Sequence, residues 1–481
     1  MRLSRTRWIF LAAVTVHLVT AWFSTGFHAA DEHYQVIEFA EAKLGHVPIN
    51  ALPWEYAAQI RSAFLPTVCL AVFRAAHAVG ITDPFMLAFL LRLLTAALAL
   101  TAVTCFVRAV RGHVPEQLWT PFLLLSYFLW FLPFMHVRFT GETWSGLLFL
   151  LGLASLLMPG DSRSRHFRTG LFFGLAIICR PPVLAMCAGV VLWLLFVQRE
   201  RREKAVFLCV GIFTMALLGL VVDHWFYGDF TLTTWNYLRL GIFGHGDHPF
   251  VAFAWWYYPA WVLKYATLPI GAALLAAAAM LFITRPKHIL TWSIVPFLIL
   301  HIIIPHKELR FLYPLADLLP WMLTLALVTW MDARIFRQLP RWAITAATAL
   351  IVVVNLLALS VVVSSPAGNG STRLARAVHD LAGNSPVMLT YVVDEAKVWD
   401  ILIPRFYLPP ESRDTLTNDV CAETSGLLGR TFLITSAPLP DQCEMKWTKV
   451  EQALPAWKVM ALKGYDLEDA KPVWTLYEEV E

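Results

Sequence analysis

SIVPFLILHIIIPHKELRFLYPLADLLPWMLTLALV, residues 293–328, sets a knot of charge between two apolar runs. His306, Lys307, Glu308 and Arg310 place four ionisable groups in five positions. At the edge of a bilayer such groups are costly, so they are either paired with one another or functional. Snorkelling accounts for the long stems of Lys307 and Arg310, but not for His306 and Glu308 beside them. A lipid phosphate at the interface needs cationic donors, which Lys307 and Arg310 supply with His306 alongside. The same donors would steady negative charge on a departing phosphate.

The rest of the chain repeats the pattern. Of its 481 residues 58% are hydrophobic and 15% charged, with a mean hydropathy of +0.60. A soluble domain carries about 25% charged residues, so the composition is that of a polytopic membrane protein. The net charge of +4 is small and its basic residues sit in short loops between apolar runs, which argues for membrane topology and against nucleic acid as a partner.

A span needs roughly 20 apolar residues. Eleven candidates follow: 8–27, 84–107, 118–135, 143–158, 170–180, 182–198, 205–222, 260–284, 289–305, 311–330 and 342–363. Arg2, Arg5 and Arg7 precede the first, which reads as an uncleaved span with a cytoplasmic start. Residues 170–180 and 182–198 read as two arms of a hairpin broken at Arg180, Pro181 and Pro182. Treating the apolar stretch 64–80 as re-entrant or interfacial puts Arg108 with Arg111, the clusters at 163–168 and 199–204, Arg285 with Lys287, and Arg334 with Arg337 on one face. The loops 28–83, 138–142, 223–258 and 306–310, and everything after Ser364, then lie on the other.

The expected division is a transmembrane domain over 1–364, with 28–83 as its first extracytoplasmic loop, and a small soluble α/β domain over 365–481. The latter shows a helical stretch at 372–381 and β-like runs at 387–393, 432–435 and 458–462.

Three further constellations fall on the outer side. Asp31, Glu32, Tyr34, Gln35 and Glu38 follow the first span. At helical spacing Asp31, Gln35 and Glu38 share a face, and Val36, Ile37, Ala40 and Leu44 form an apolar face expected to lie on the membrane. The two carboxylates serve either as helix N-terminal charges or as the general base on an acceptor hydroxyl. Asp223 and His224 lead into Tyr237, Arg239, His245, Asp247 and His248. No fourth ligand accompanies the three loop residues, so a polar substrate loop is preferred to a metal site. Arg138 and Glu142 flank a short turn, either as a pair that closes it or as substrate contacts.

In this order the motifs resemble those of glycosyltransferase family 22, the membrane mannosyltransferases of N-glycan and glycosylphosphatidylinositol (GPI) assembly. The family's acidic motif after the first span matches Asp31, Glu32, Tyr34 and Gln35. Its Trp-Glu and Ile-Arg-Ser elements match Trp54, Glu55, Ile60, Arg61 and Ser62. Its central aromatic segment matches Asp223 to Gly228, then Tyr237 and His248, and its final motif matches His306, Lys307, Glu308, Arg310 and Phe311. Ala30 and Leu309 depart from the family pattern.

The resemblance implies a GT-C fold and inverting transfer of mannose from a polyprenyl- or dolichyl-phosphate donor to a glycan or glycolipid acceptor. The setting would be a bacterial inner membrane or the endoplasmic reticulum. Asp31 or Glu32 would be the base. Lys307, Arg310 and His306 would meet the donor phosphate, and Gln35, Trp54, Glu55, Arg61, Arg138, Glu142, Asp223, Tyr237, His248 and Glu308 the substrates. One base and an anionic leaving group call for neither cofactor nor metal. Two other classes remain open: a GT-C transferase that puts another sugar on lipid A or protein, and a transporter or flippase, which would place polar residues nearer the midplane. In the tail, Cys421 and Cys443 either close a disulfide across 22 positions, worth roughly 3 kcal/mol, or stay as two thiols.

Overall fold

The computed structural model describes residues 2–160, 162–199, 201–242, 252–333, 338–368, 370–392, 401–418, 429–437, 439–440, 446–454 and 473–480. Its helices, in chain order, are α1 (Arg2–Phe23), α2 (Ala30–Tyr34), α3 (Ile37–Leu44), α4 (Trp54–Ala57), α5 (Phe64–Ala78), α6 (Pro84–Ala109), α7 (Trp119–Phe128), α8 (Phe131–Met135), α9 (Gly141–Leu157) and α10 (Arg163–Cys179). They continue with α11 (Leu184–Phe196), α12 (Arg202–Tyr227), α13 (Thr233–Asn236), α14 (Tyr257–Tyr265), α15 (Leu268–Thr284), α16 (Ile289–Ile303), α17 (Leu319–Asp332), α18 (Arg341–Val363) and α19 (Ser371–Ala382). Contacts divide the chain into two compact units.

The first unit holds Met1–Phe23, Trp54–Val68 and Leu91–Ser365. Small residues set its helix spacing. A Cβ on Gly170 would lie 2.0 Å from the Leu208 carbonyl oxygen, and one on Gly211 2.3 Å from that of Phe167, so α10 and α12 meet backbone to backbone. Gly189 brings α11 equally close to the Trp292 carbonyl on α16. Gly146 of α9 meets Pro314 in the 3₁₀ turn Leu309–Leu318. Two of its helix starts are capped locally: Thr140 accepts from the Thr143 amide at α9, and Ser162 from the Arg165 amide at α10.

Among the described residues five helices are long and apolar enough to cross a membrane, or six if the pair α15 and α16, bent by 115°, counts as one. The chain is a multi-pass membrane protein, but the expected count of eleven is not reached by this measure. The stretch 118–135 breaks at Leu129 into α7 and α8, and 260–284 breaks at Thr267, whose φ is +67°. α9 and α11 are short, and α9 is buried along nearly its whole length. A helix enclosed by other helices needs no full hydrophobic span of its own.

The second unit collects Ser24–Pro53, Cys69–Leu90 and Pro366–Glu481, so by contacts much of the loop read at 28–83 goes with the tail. Among the described residues the tail carries five strands: β1 (Val387–Val392), β2 (Arg413–Thr417), β3 (Arg430–Thr435), β4 (Trp447–Gln452) and β5 (Thr475–Glu479). Their order is β2-β1-β3-β5-β4, with β1 parallel to β2 and β3, and β5 antiparallel to β3 and β4. Leu433, Leu439 and Trp447 form a small core of their own. The run expected at 458–462 and both Cys421 and Cys443 lie outside the described residues.

One expectation is corrected here. The acidic segment is not one helix lying on lipid: it breaks at Gln35 and Val36 into α2 and α3. Its apolar residues Val36, Ile37 and Ala40 are buried by the chain itself, and so are Glu38 and Glu41. The face meant for the membrane is packed against protein.

Candidate functional site

In the first unit the charge knot closes on Glu308. His306 Nε2 lies 3.0 Å from Glu308 Oε1, while Arg310 donates from Nε to Oε2 at 2.5 Å and from Nη2 to Oε1 at 3.0 Å. Burial alone would push the Glu308 carboxyl up. The hydrogen bonds from His306 and Arg310, with their charge, more than reverse this and hold it well below the ordinary carboxylate range. Glu308 thus stays ionised and fixes the direction of the Arg310 fork.

Lys307 does something else. Its Nζ is 1% exposed at the residue level and donates to the carbonyls of His301, Ile302 and Ile304 at 3.1, 3.0 and 2.6 Å. An ammonium has three N–H donors, and all three are spent on carbonyls left open at the end of α16. Lys307, expected at a lipid phosphate, closes the end of a helix in this structure, and burial lowers its basicity.

Around the knot stand residues from other elements of the unit. Glu142, in the first turn of α9, meets Arg180 at 3.3 Å, and both are buried. The Arg180 guanidinium carbon lies 4.9 Å from the Phe311 ring centre and 5.8 Å from that of Tyr237. Arg61 approaches the same Tyr237 ring at 5.6 Å. Arg180 was read from sequence only as a hairpin break. An arginine before two prolines, at the tip between two apolar arms, is the signal that singles it out. Tyr258, also missed, is buried, with its phenol pushed up by that burial, and its ring lies 5.6 Å from Lys307 Nζ.

Other expected residues have structural bonds. Asp223, at the end of α12, accepts from Ser62 Oγ at 3.0 Å, the Ala63 amide at 2.7 Å and Thr233 Oγ1 at 2.7 Å. It ties the segment carrying Arg61 to α12 and α13, and Tyr227 Oη adds a bond to the Arg61 carbonyl at 2.7 Å. Arg138 is 2% exposed, 5.2 Å from the Phe134 ring. Trp54 is 40% exposed and Glu55 half-buried, both on α4. His248, with His245 and Asp247, lies outside the described residues. Among the described residues no cluster of three or more His, Cys, Asp or Glu has a metal-site arrangement.

In the second unit Asp31 and Glu32 form the first turn of α2 and are half-buried, with Gln35 buried at its end. Ala29, before the helix, offers no side-chain cap, so the carboxylates supply the negative charge that a helix start favours. His33 is buried behind them, 3.4 Å from Glu38 Oε1. Glu41, 2.8 Å from His46, has its carboxyl pushed up by burial.

Comparison with known proteins meets this geometry at several points. A profile of the Alg9-like mannosyltransferase family matches residues 8–384. A mouse protein named GPI alpha-1,2-mannosyltransferase 3 is 23% identical over 65% of the chain and 57% of its own length. The human protein of that name is 24% identical over 64% and 55%. The fly protein named GPI mannosyltransferase 3 is 25% identical over 67% and 56%. The matches thus cover a little over half the length of these relatives. In structure the chain resembles ArnT from Cupriavidus metallidurans bound to undecaprenyl phosphate, with a TM-score of 0.57 at 14% identity over 99% of this chain and 98% of the other. An oligosaccharyltransferase from Archaeoglobus fulgidus gives a TM-score of 0.50 at 12% identity over 84% and 64%. These likenesses show a shared GT-C fold.

Proposed function

Since the chain belongs to the Alg9-like mannosyltransferase family, we propose that it transfers mannose from a polyprenyl- or dolichyl-phosphate donor to a lipid-linked glycan at the extracytoplasmic face. The observation that carries this reading is the Glu308-held fork of Arg310, in a chain whose named relatives are GPI mannosyltransferases. A guanidinium fixed in direction matches the planar, bidentate demands of a phosphate, and Arg61 and Arg180 supply two further cations on the same unit. In this reading the Asp31 carboxylate, or Glu32, takes the acceptor's hydroxyl proton. The acceptor oxygen bonds the anomeric carbon as its bond to phosphate breaks, with inversion, and the lipid phosphate leaves as an anion that Arg310 stabilises. The same chemistry fits a bacterial inner membrane or the endoplasmic reticulum.

The test is transfer by the purified chain in lipid nanodiscs, supplied with polyprenyl-phosphate mannose and a panel of lipid-linked glycans. Mannosylated acceptor and released polyprenyl phosphate in equal amounts are expected. Turnover only with a different polyprenyl-phosphate sugar would move the assignment to another GT-C transferase.

A further inference from the structure

The segment after Pro366 sends two rings into the loop that carries the acidic motif, and neither ring belongs to its sheet. Tyr407 stacks on His33 at 5.4 Å and 28°, and on Phe85 at 4.8 Å and 26°. The Arg376 guanidinium lies 4.0 Å from the same Phe85 ring. Phe406 stacks on Phe73 at 5.5 Å and 10° and tilts against His33 at 5.6 Å, while its amide donates to Glu38 Oε1 at 3.3 Å. All of these rings are buried. We propose that the tail is the positioning element for the carboxylate helix: Phe406 and Tyr407 hold α2, and with it Asp31 and Glu32, in register for proton abstraction. The inference rests on the assignment of one of those carboxylates as the base.

The physics of α2 requires such a support. Five residues cannot sustain a helix in isolation, because nucleation costs more than one turn returns. α2 ends where Gln35 and Val36 break the run, so α3 does not extend it. His33 lies within two residues of both carboxylates and is 2% exposed, so whatever fixes its ring fixes their direction. Phe27 packs on that ring from within the loop at 5.6 Å, the tail adds Phe406 and Tyr407, and the tail is itself anchored. The Ile403 amide donates to Tyr391 Oη at 3.1 Å, which fastens the segment before Phe406 to β1. At the other end of the loop the Ala367 amide donates to the Thr25 carbonyl at 2.8 Å, and a Cβ on Gly368 would lie 2.6 Å from the Phe27 carbonyl oxygen. Sites held by rigid elements keep their geometry, and displacement by about 1 Å costs about a hundredfold in rate.

The experiment compares Tyr407→Ala, Phe406→Leu and the conservative Tyr407→Phe with wild type in nanodiscs. It measures kcat, donor KM and hydrogen exchange of the 30–44 peptide. Tyr407→Ala is expected to lower kcat by about 10- to 100-fold with donor KM within about twofold, and to speed exchange at 30–34. Phe406→Leu should do the same more weakly, and Tyr407→Phe, which keeps the stack, should restore both readouts. Turnover within about twofold of wild type for Tyr407→Ala, or a loss that Tyr407→Phe does not restore, overturns the proposal. Unchanged exchange at 30–34 in Tyr407→Ala overturns it as well. Should the wild type transfer no sugar, the functional assignment fails separately, and exchange still decides whether the tail holds α2.

Discussion

The Glu308 knot and the α2 carboxylates carry opposite charges for opposite halves of the proposed reaction, and they are built by opposite means. The knot supports itself: His306, Glu308 and Arg310 bond one another within five positions, and Lys307 ties the same stretch to the end of α16. The carboxylates have a five-residue helix packed on Phe27 and on the distant Phe406 and Tyr407, and the bond from the Phe406 amide to Glu38 of α3 spans 368 positions. A self-contained cluster fails one member at a time. A helix held from outside fails as a whole when its support moves.

The largest effect is expected where the proposed chemistry is removed and nothing else. Asp31→Asn keeps the shape of α2 but cannot take a proton, so turnover should fall by about 10²- to 10⁴-fold with insertion and melting unchanged. Near wild-type turnover would shift the role to Glu32. Next comes the buried pair of the first unit: Glu142→Ala takes a buried carboxylate away from Arg180, at a cost of up to about 3–5 kcal/mol. Thermal unfolding in detergent should show it, and Glu142→Ala with Arg180→Met should recover much of the loss. A melt unchanged by the single substitution would mean that Arg180 is satisfied by other groups.

The two cations of the knot should separate. Lys307→Met strips three carbonyls of a donor, so it lowers the melting temperature while donor KM stays within about twofold. Arg310→Ala should raise donor KM about tenfold and leave acceptor KM in place. Equal effects of both on donor KM would return Lys307 to the phosphate. The smallest effect is confined to low pH. Because Glu308 has a depressed carboxyl value, its contribution to stability is complete above the unfolded value near 4.3 and is lost only as pH falls through the lower folded value. The difference in melting between wild type and Glu308→Gln should therefore persist at pH 5 and shrink below about pH 4. A difference that does not shrink below about pH 4 contradicts the depressed carboxyl of Glu308.

What could be read from the chain follows the same division. The apolar helices α6 and α18 and the Glu308 knot are legible because hydropathy and neighbouring charges are local properties. The carbonyls that Lys307 meets were not legible, because a bond to a backbone carbonyl leaves no mark in the side-chain sequence. Arg180 was missed as a partner of Glu142 because the fold of a hairpin, not its spacing, decides which residue its tip meets. The apolar face of Val36, Ile37 and Ala40 was readable as a face, but not as one covered by protein, since lipid and a buried helix ask for the same residues. Nothing around Phe406 marks it as the support of a helix so far upstream.

That separation also sets a timetable. With synthesis at about 5–20 residues per second, the 368 positions between Glu38 and Phe406 correspond to roughly 20–70 seconds in which α2 has been made and its clamp has not. Throughout that interval His33, Phe73 and Phe85 stand without the rings of Phe406 and Tyr407. A chain released before Phe406 would keep those three rings without that cover.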